Sequence, residues 1–205
     1  MFESLSLPSK RIELENLQQL KGHLEEIAHI SQTDWAFFTS KLQRRIIPKK
    51  TIFLELDAIE NHISFIESGV VRLYIPKDNP EKEITFGFSF ENQFVSAYDS
   101  FLTQTPSAYQ LQALTETTIL SITYDDLQAV YRTTQIGNLI GRLTAERLFL
   151  LKSSREQNLL NLTAEERYMK LFKERPELLK VIPLKYVSSY IGITAQALSR
   201  IRKRL

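Results

Sequence analysis

The apolar positions change period twice along the chain, and each change marks a change of element. Leu14, Leu17, Leu20, Leu24, Ile27 and Ile30 recur at steps of three and four, the period of an amphipathic helix. Thr33 or Asp34 is placed to cap a second short helix through TDWAFFTSKL. Between residues 45 and 122 the pattern becomes RIIPKKTIFLEL, HISFIESGVVRLYIP, EKEITFGFSF and YQLQALTETTILSI, rich in β-branched and aromatic residues and broken by PKDNPEK and similar turn material. Several short strands at this spacing predict an antiparallel β-sandwich or roll rather than βαβ units. Within IESGVVRLYI, Gly69 is placed for the φ > 0 conformation of a tight turn.

The helical period then returns. Thr123 and Asp126 form a capping-box pattern, so a helix begins where the strands end. A longer helix is predicted from about Thr134 to Asn161, about 25 residues and nearly 40 Å long. Its Ile136, Leu139, Ile140, Leu143 and Leu150 share one stripe, interrupted by Glu146, Arg147 and Gln157. The stripe either packs on the chain's own roll or forms a dimer seam. Thr163 and Glu166 make a second capping box that starts ERYMKLFKERPEL and places a boundary near Leu162. Pro183 opens LKYVSSYI, Gly192 lies just past its end, and Thr194 caps AQALSRIRKRL. Val187, Ile191, Ile193, Leu198 and Ile201 face the junction, and the small Ser188 permits close approach. This is a helix-turn-helix with residues 194–205 as recognition helix.

Composition removes several classes of chemistry. The chain of 205 residues has no cysteine, which excludes disulfides, thiolate catalysis and iron–sulfur clusters. His23, His29 and His62 form no HxxxH or HxH pair, so no metal site is expected. No nucleophile elbow, P-loop or Gly-rich dinucleotide loop is present. The acid pairs Asp125-Asp126 and Glu165-Glu166 open helices, where the dipole accounts for them. No catalytic residue and no cofactor is therefore expected. MFESLSLPSK lacks the apolar core of a signal peptide, and no apolar run approaches the roughly 20 residues of a membrane span. The expected location is cytoplasmic.

Net charge is +2, unevenly divided: residues 161–205 carry 10 Lys+Arg against 4 Asp+Glu, or +6, leaving −4 for the rest. A basic end on an acidic body fits an anionic partner met at that end. Double-stranded DNA suits the recognition helix. Thr194 and the helix N-terminus suit a phosphate. Gln196, Ser199 and Arg200 project from the first turns toward base edges, Gln matching adenine and Arg matching guanine. Arg202, Lys203 and Arg204 add charge for the phosphate backbone. An ordinary two-helix hairpin with a solvated basic face is the alternative.

Over nearly its whole length the chain resembles the Crp/Fnr family of transcription regulators. The resemblance lies in ESGVVRLY, the long helix after SITYDDL, the helix LTAEERYMKLFKERPEL and, most specifically, IPLKYVSSYIGITAQALSRIRKRL. It implies an α+β protein: a cyclic-nucleotide-binding-like double-stranded β-helix or jelly roll as sensor domain over 1–132, a connecting and dimerisation helix over 133–161, and a helix-turn-helix DNA-binding domain over 162–205. The implied function is that of a homodimeric DNA-binding regulator.

Two departures from the family pattern carry expectations. Cyclic-nucleotide binders of this family carry a Gly-Glu pair followed, after a short helix, by an Arg. Here Asn92 and Gln93 stand for the pair and Ser107 stands at or near the Arg. A cyclic phosphate would lack its bidentate cation, so no cAMP or cGMP response is expected. The family's wing would follow the recognition helix, whereas the sequence ends at Leu205, so weaker phosphate contacts are expected. An unknown effector, if the roll holds one, would be lined by Phe86, Phe88, Phe94, Ser96, Tyr98, Ser100 and Tyr109, although most of those rings suit a core better. A ligand-binding or scaffold protein with a vestigial DNA-binding domain remains the alternative function.

Overall fold

A computed structural model describes residues 17–174, 176 and 178–204, so Leu14 of the first predicted helix and Leu205 of the last lie outside the described residues. The chain opens with α1 (Gln18–Glu25) and α2 (Gln32–Ser40). Neither Thr33 nor Asp34 caps α2. Ser31 does, its hydroxyl accepting the Asp34 amide at 3.1 Å. The helix begins at Gln32, which leaves Thr33 and Asp34 inside the first turn.

Eight strands follow: β1 (Gln43–Ile47), β2 (Ile52–Leu54), β3 (His62–Ser68), β4 (Val70–Ile75), β5 (Ile84–Phe90), β6 (Phe94–Val95), β7 (Gln110–Ala113) and β8 (Thr117–Thr123). They form two four-stranded sheets, ordered β1-β8-β3-β6 and β2-β7-β4-β5. Successive strands change sheet everywhere except in the β4–β5 hairpin, which is the connectivity of a jelly roll. Gly69 makes the crossing from β3 to β4 at φ +106°. All four runs of strand-forming residues carry strands. The two-residue β6 was not legible in the pattern, because its place is set by pairing with Ser64 and Phe65 of β3.

Register decides which side chains face which layer. Phe65 lies opposite Leu120, and both are buried with Leu17, Leu20, Leu24 and Ile30. On the alternate face Ser64 is paired with Ser121 and Ile66 with Ile119; both isoleucines are fully buried, and the two serine hydroxyls bond each other at 2.8 Å. The helices are α3 (Tyr98–Thr103), α4 (Tyr124–Thr133), α5 (Gly137–Asn161), α6 (Ala164–Glu174), α7 (Leu178–Val181), α8 (Leu184–Ile191) and α9 (Ala195–Arg204). The predicted box opens α4, with Asp126 N–H donating to the Thr123 hydroxyl at 3.2 Å. A second, fully reciprocal box opens α6: Glu166 N–H donates to Thr163 Oγ1 at 3.3 Å while Thr163 N–H donates to Glu166 Oε2 at 2.8 Å. The Thr163 N–H and hydroxyl, both donating to Glu166 Oε2 at 2.8 Å, hold that carboxyl below its ordinary pKa.

By compactness the chain divides into two units: residues up to Arg72 with Phe88–Leu143, and Leu73–Gly87 with Thr144–Leu205. This differs from the segments 1–132, 133–161 and 162–205. The long helix is shared, and the outer part of the β4–β5 hairpin belongs with the C-terminal helices.

Within α5 the expected single stripe is split. Ile136 precedes the helix and packs, with Ile140, on the core built from α1 and Phe65. Leu143 is half-buried, whereas Leu139 and Leu150 are exposed. Phe149 and Leu160, 70% and 78% exposed, were missed in the sequence. At about 100° per residue they flank the Leu139, Leu143 and Leu150 line rather than the Ile140 side.

Candidate nucleic-acid interface

Pro183 precedes α8, and Gly192, at φ +86°, ends it. The Ile193 N–H donates to the Ser188 carbonyl and the Gly192 N–H to the Ser189 carbonyl, each at 3.0 Å. This pair of bonds is a Schellman turn, which closes the helix in one geometry. Thr194 then caps α9, its hydroxyl accepting the Ala197 N–H at 3.2 Å. Val187, Ile191, Leu198 and Ile201 are buried where α8 meets α9, together with Ser188, and Ile193 is half-buried. The Ser188 hydroxyl is satisfied by its own helix, donating to the Lys185 carbonyl at 2.9 Å.

The other side of α9 is polar and open. Thr194, Gln196, Ser199, Arg200, Arg202, Lys203 and Arg204 are all exposed. Gln196, Arg200 and Lys203 follow one another at i, i+4 and i+7 and so share a face, with Ser199 beside them. Arg202 lies off that line. Arg204 is engaged elsewhere: its Nη2 lies 3.0 Å from Glu165 Oε2 on α6. Both partners of that pair are solvent-exposed, so it is a weak tether. An open groove of ≈ 570 Å³ runs beside the helix, lined by Ala164, Ile193, Ala197, Arg200, Lys203 and Arg204, among others.

Two arginines brace the C-terminal end of α8. Arg155 of α5 donates to the Tyr190 carbonyl at 3.1 Å and stacks on the Tyr190 ring, 3.9 Å from guanidinium to ring centre. Arg167 of α6 donates from Nε to the Ile191 carbonyl at 2.9 Å, and its Nη1 bonds the Leu162 carbonyl. Carbonyls at a helix C-terminus lack partners within the helix, and cations there also suit its dipole. Sequence reasoning missed both arginines. Their spacing from α8 carries no local signal.

The residues proposed to line an effector pocket are held in separate local environments within the roll. Phe94 packs outward on the α1 core, ring to ring with Phe65 at 5.4 Å and with His23 at 5.8 Å. Tyr98 stacks on Phe101 and joins the core beneath α4. Ser96 donates to the His62 carbonyl at 2.9 Å, and Ser100 donates to the Thr105 carbonyl while accepting the Glu60 N–H. Tyr109 donates to Asp99 Oδ1 at 2.7 Å, and burial with that bond pushes its pKa well up. Phe88 lies on β5 beside Phe90 at 6.4 Å, and Phe86 belongs to the outer part of the same strand.

The cassette positions are similarly committed. Asn92 and Gln93 form the β5–β6 turn, Asn92 at φ +63°, and Gln93 Oε1 accepts the Phe90 N–H at 3.1 Å. The pair directly preceding the short helix α3 is instead Ser96-Ala97. The Ser107 hydroxyl donates to the Tyr109 carbonyl at 2.8 Å. The buried Glu60, also missed in the sequence, reaches this region. Its Oε1 accepts the His62 N–H at 2.9 Å and its Oε2 accepts the Ala97 N–H at 3.5 Å. Desolvation raises its pKa despite those bonds and the nearby Arg45. Burial, with Arg45 in support, lowers that of His62.

Among the described residues no helix is long and apolar enough to cross a membrane, and no cluster of three His, Cys, Asp or Glu residues is placed to hold a metal ion. Residues 43–134 match the cyclic nucleotide-binding domain family. No curated protein matches the chain. Solved structures share its fold at low identity. The c-di-GMP responsive global regulator CLP of Xanthomonas campestris is 17% identical, with a TM-score of 0.65 over 85% of this chain and 91% of that one. The catabolite activator protein of Thermus thermophilus is 18% identical, with a TM-score of 0.55 over 89% and 86%. A protein of the Crp/Fnr family from Eubacterium rectale is 14% identical, with a TM-score of 0.67 over 85% and 83%. The fold is therefore that of the Crp/Fnr regulators: a jelly roll of cyclic-nucleotide-binding type followed by C-terminal helices.

Proposed function

We propose that the chain is a homodimeric, DNA-binding transcription regulator that inserts α9 into the major groove. The observation that carries this reading is the α8–α9 unit: a Schellman-closed turn holds a helix whose Gln196, Ser199, Arg200 and Lys203 are all exposed. Arg200 and Gln196 read base edges. Lys203 and Arg202 neutralise phosphates, and Arg204 joins them once it leaves Glu165. The band of Leu139, Leu143, Phe149, Leu150 and Leu160 on α5 is the seam between copies. It would present two recognition helices to half-sites about 34 Å apart.

Cyclic nucleotides are not the effector in this reading. The cassette positions hold no arginine, and the Ser96 and Ser107 hydroxyls are already bonded to backbone carbonyls. A micromolar Kd for cAMP or cGMP by titration calorimetry would refute this point.

Selection from a random duplex pool, followed by mobility shifts over a salt series, tests the main reading. Binding should weaken steeply with salt. Arg200→Ala should flatten preference at one base position, at a cost of about 1–3 kcal/mol. Lys203→Ala should weaken all duplexes alike and lower the salt slope by about 1. If no duplex is selected, DNA recognition is excluded, and a small-molecule-binding scaffold is left.

A further inference from the structure

Three successive residues at the end of α8 are each bonded to a different element. Tyr190 is held by Arg155 of α5, and Ile191 by Arg167 of α6. Ser189 reaches the third, more than a hundred residues away in sequence. Its hydroxyl accepts the Thr85 N–H at 2.9 Å and donates to the Glu83 carbonyl at 2.7 Å.

The chemistry of that contact is specific. β5 is an edge strand of its sheet, and an edge strand presents unpaired N–H and C=O groups. The carbonyl of one residue and the N–H of the residue two further on point to the same side of a strand, where a neighbouring strand would bond both. One serine hydroxyl, donor and acceptor together, fills the place of that neighbour. Thr85 is 1% exposed, so a vacated contact would leave its N–H without solvent in compensation.

We propose that Ser189 is a positioning residue for DNA recognition: by bonding the β5 edge it sets the pitch of α9, and so makes the β4–β5 hairpin the control point for half-site spacing. The proposal rests on the homodimeric DNA-binding reading. The Schellman turn makes α8 and α9 one rigid piece, so an orientation imposed on Ser189 is imposed on Arg200. The reading face of α9 stays exposed in this arrangement, so the contact acts on orientation rather than by covering the helix.

The test compares the full-length protein with Ser189→Ala and Ser189→Thr. Probes are a single half-site duplex and a set of two-half-site duplexes whose spacing varies in single base pairs. Ser189→Ala should bind the half-site within twofold of the parent. It should bind the optimally spaced site roughly tenfold more weakly, with a flatter dependence on spacing, and Ser189→Thr should restore the profile. Amide exchange at Thr85 should speed up in Ser189→Ala alone. An unchanged spacing profile, or unchanged Thr85 exchange, overturns the proposal. So does an equal loss on half-sites and full sites, which would put Ser189 in the DNA surface itself. A parent protein that binds neither the half-site nor any two-half-site duplex refutes the DNA reading first, and this inference falls with it.

Discussion

Gly69→Ala isolates the cost of passing from one sheet of the roll to the other. Gly69 sits at φ +106°, and a Cβ built there would lie 2.5 Å from Thr117 Oγ1 and 2.8 Å from both the Glu116 carbonyl oxygen and Thr117 Cα. The backbone conformation lies outside the small left-handed well, which costs an alanine about 1–3 kcal/mol. Two of the three overlapping atoms are backbone at the start of β8, so relief requires moving a strand, for about 1–3 kcal/mol more. Alanine's stiffer unfolded chain returns about 0.4–1 kcal/mol. The net loss is about 2–5 kcal/mol. With a urea slope of about 2 kcal/mol/M, the unfolding midpoint should fall by about 1–2.5 M. The single tryptophan, Trp35, packs on the α1 core, and its fluorescence reports this unit. Gly22→Ala is the internal control: no atom lies within 4 Å of a Cβ there, and the exposed helical site should gain up to about 1 kcal/mol. A Gly69→Ala midpoint within the error of the parent would show that the crossing relaxes freely, contrary to the geometry.

Glu60→Gln should change the pH profile of stability. Burial raises the folded Glu60 pKa above its ordinary value, so as pH climbs through the usual carboxylate range the unfolded chain loses its proton first. Stability therefore falls from that range up to the folded pKa and levels beyond it. Glu60→Gln should lack this decline, and parallel melting curves from pH 4 to 8 would contradict the assignment. Arg167→Ala leaves the Ile191 and Leu162 carbonyls without their donor. It should destabilise the C-terminal unit by about 1–3 kcal/mol and speed amide exchange at Gly192 and Ile193; exchange equal to the parent would count against the brace. Leu150→Asp combined with Phe149→Asp should halve the sedimenting mass at micromolar concentration with helicity unchanged. A mass unaffected by the pair would remove α5 as the seam.

Local chemistry determined much of this protein. Helix periods, the boxes at Thr123 and Thr163, the positive-φ glycines at 69 and 192, and the alternating runs of the roll depend on neighbours a few residues away, so they were legible in order along the chain. The polar side of α9 was legible for the same reason, since helical spacing alone puts Gln196, Arg200 and Lys203 together. Tertiary structure decided what depends on register and on distant partners. Phe94 and Tyr98 look like pocket residues until pairing with β3 turns Phe94 toward α1 and the start of α3 carries Tyr98 beneath α4, and a one-residue change of register would reverse the face of every side chain in a strand. Ile140 and Leu139 are adjacent in sequence, yet one is packed on a core and the other faces outward. The hydroxyl of Ser189 shows nothing in sequence to link it with Glu83 and Thr85, because a hydrogen bond between such remote residues exists only once the chain has folded them into contact.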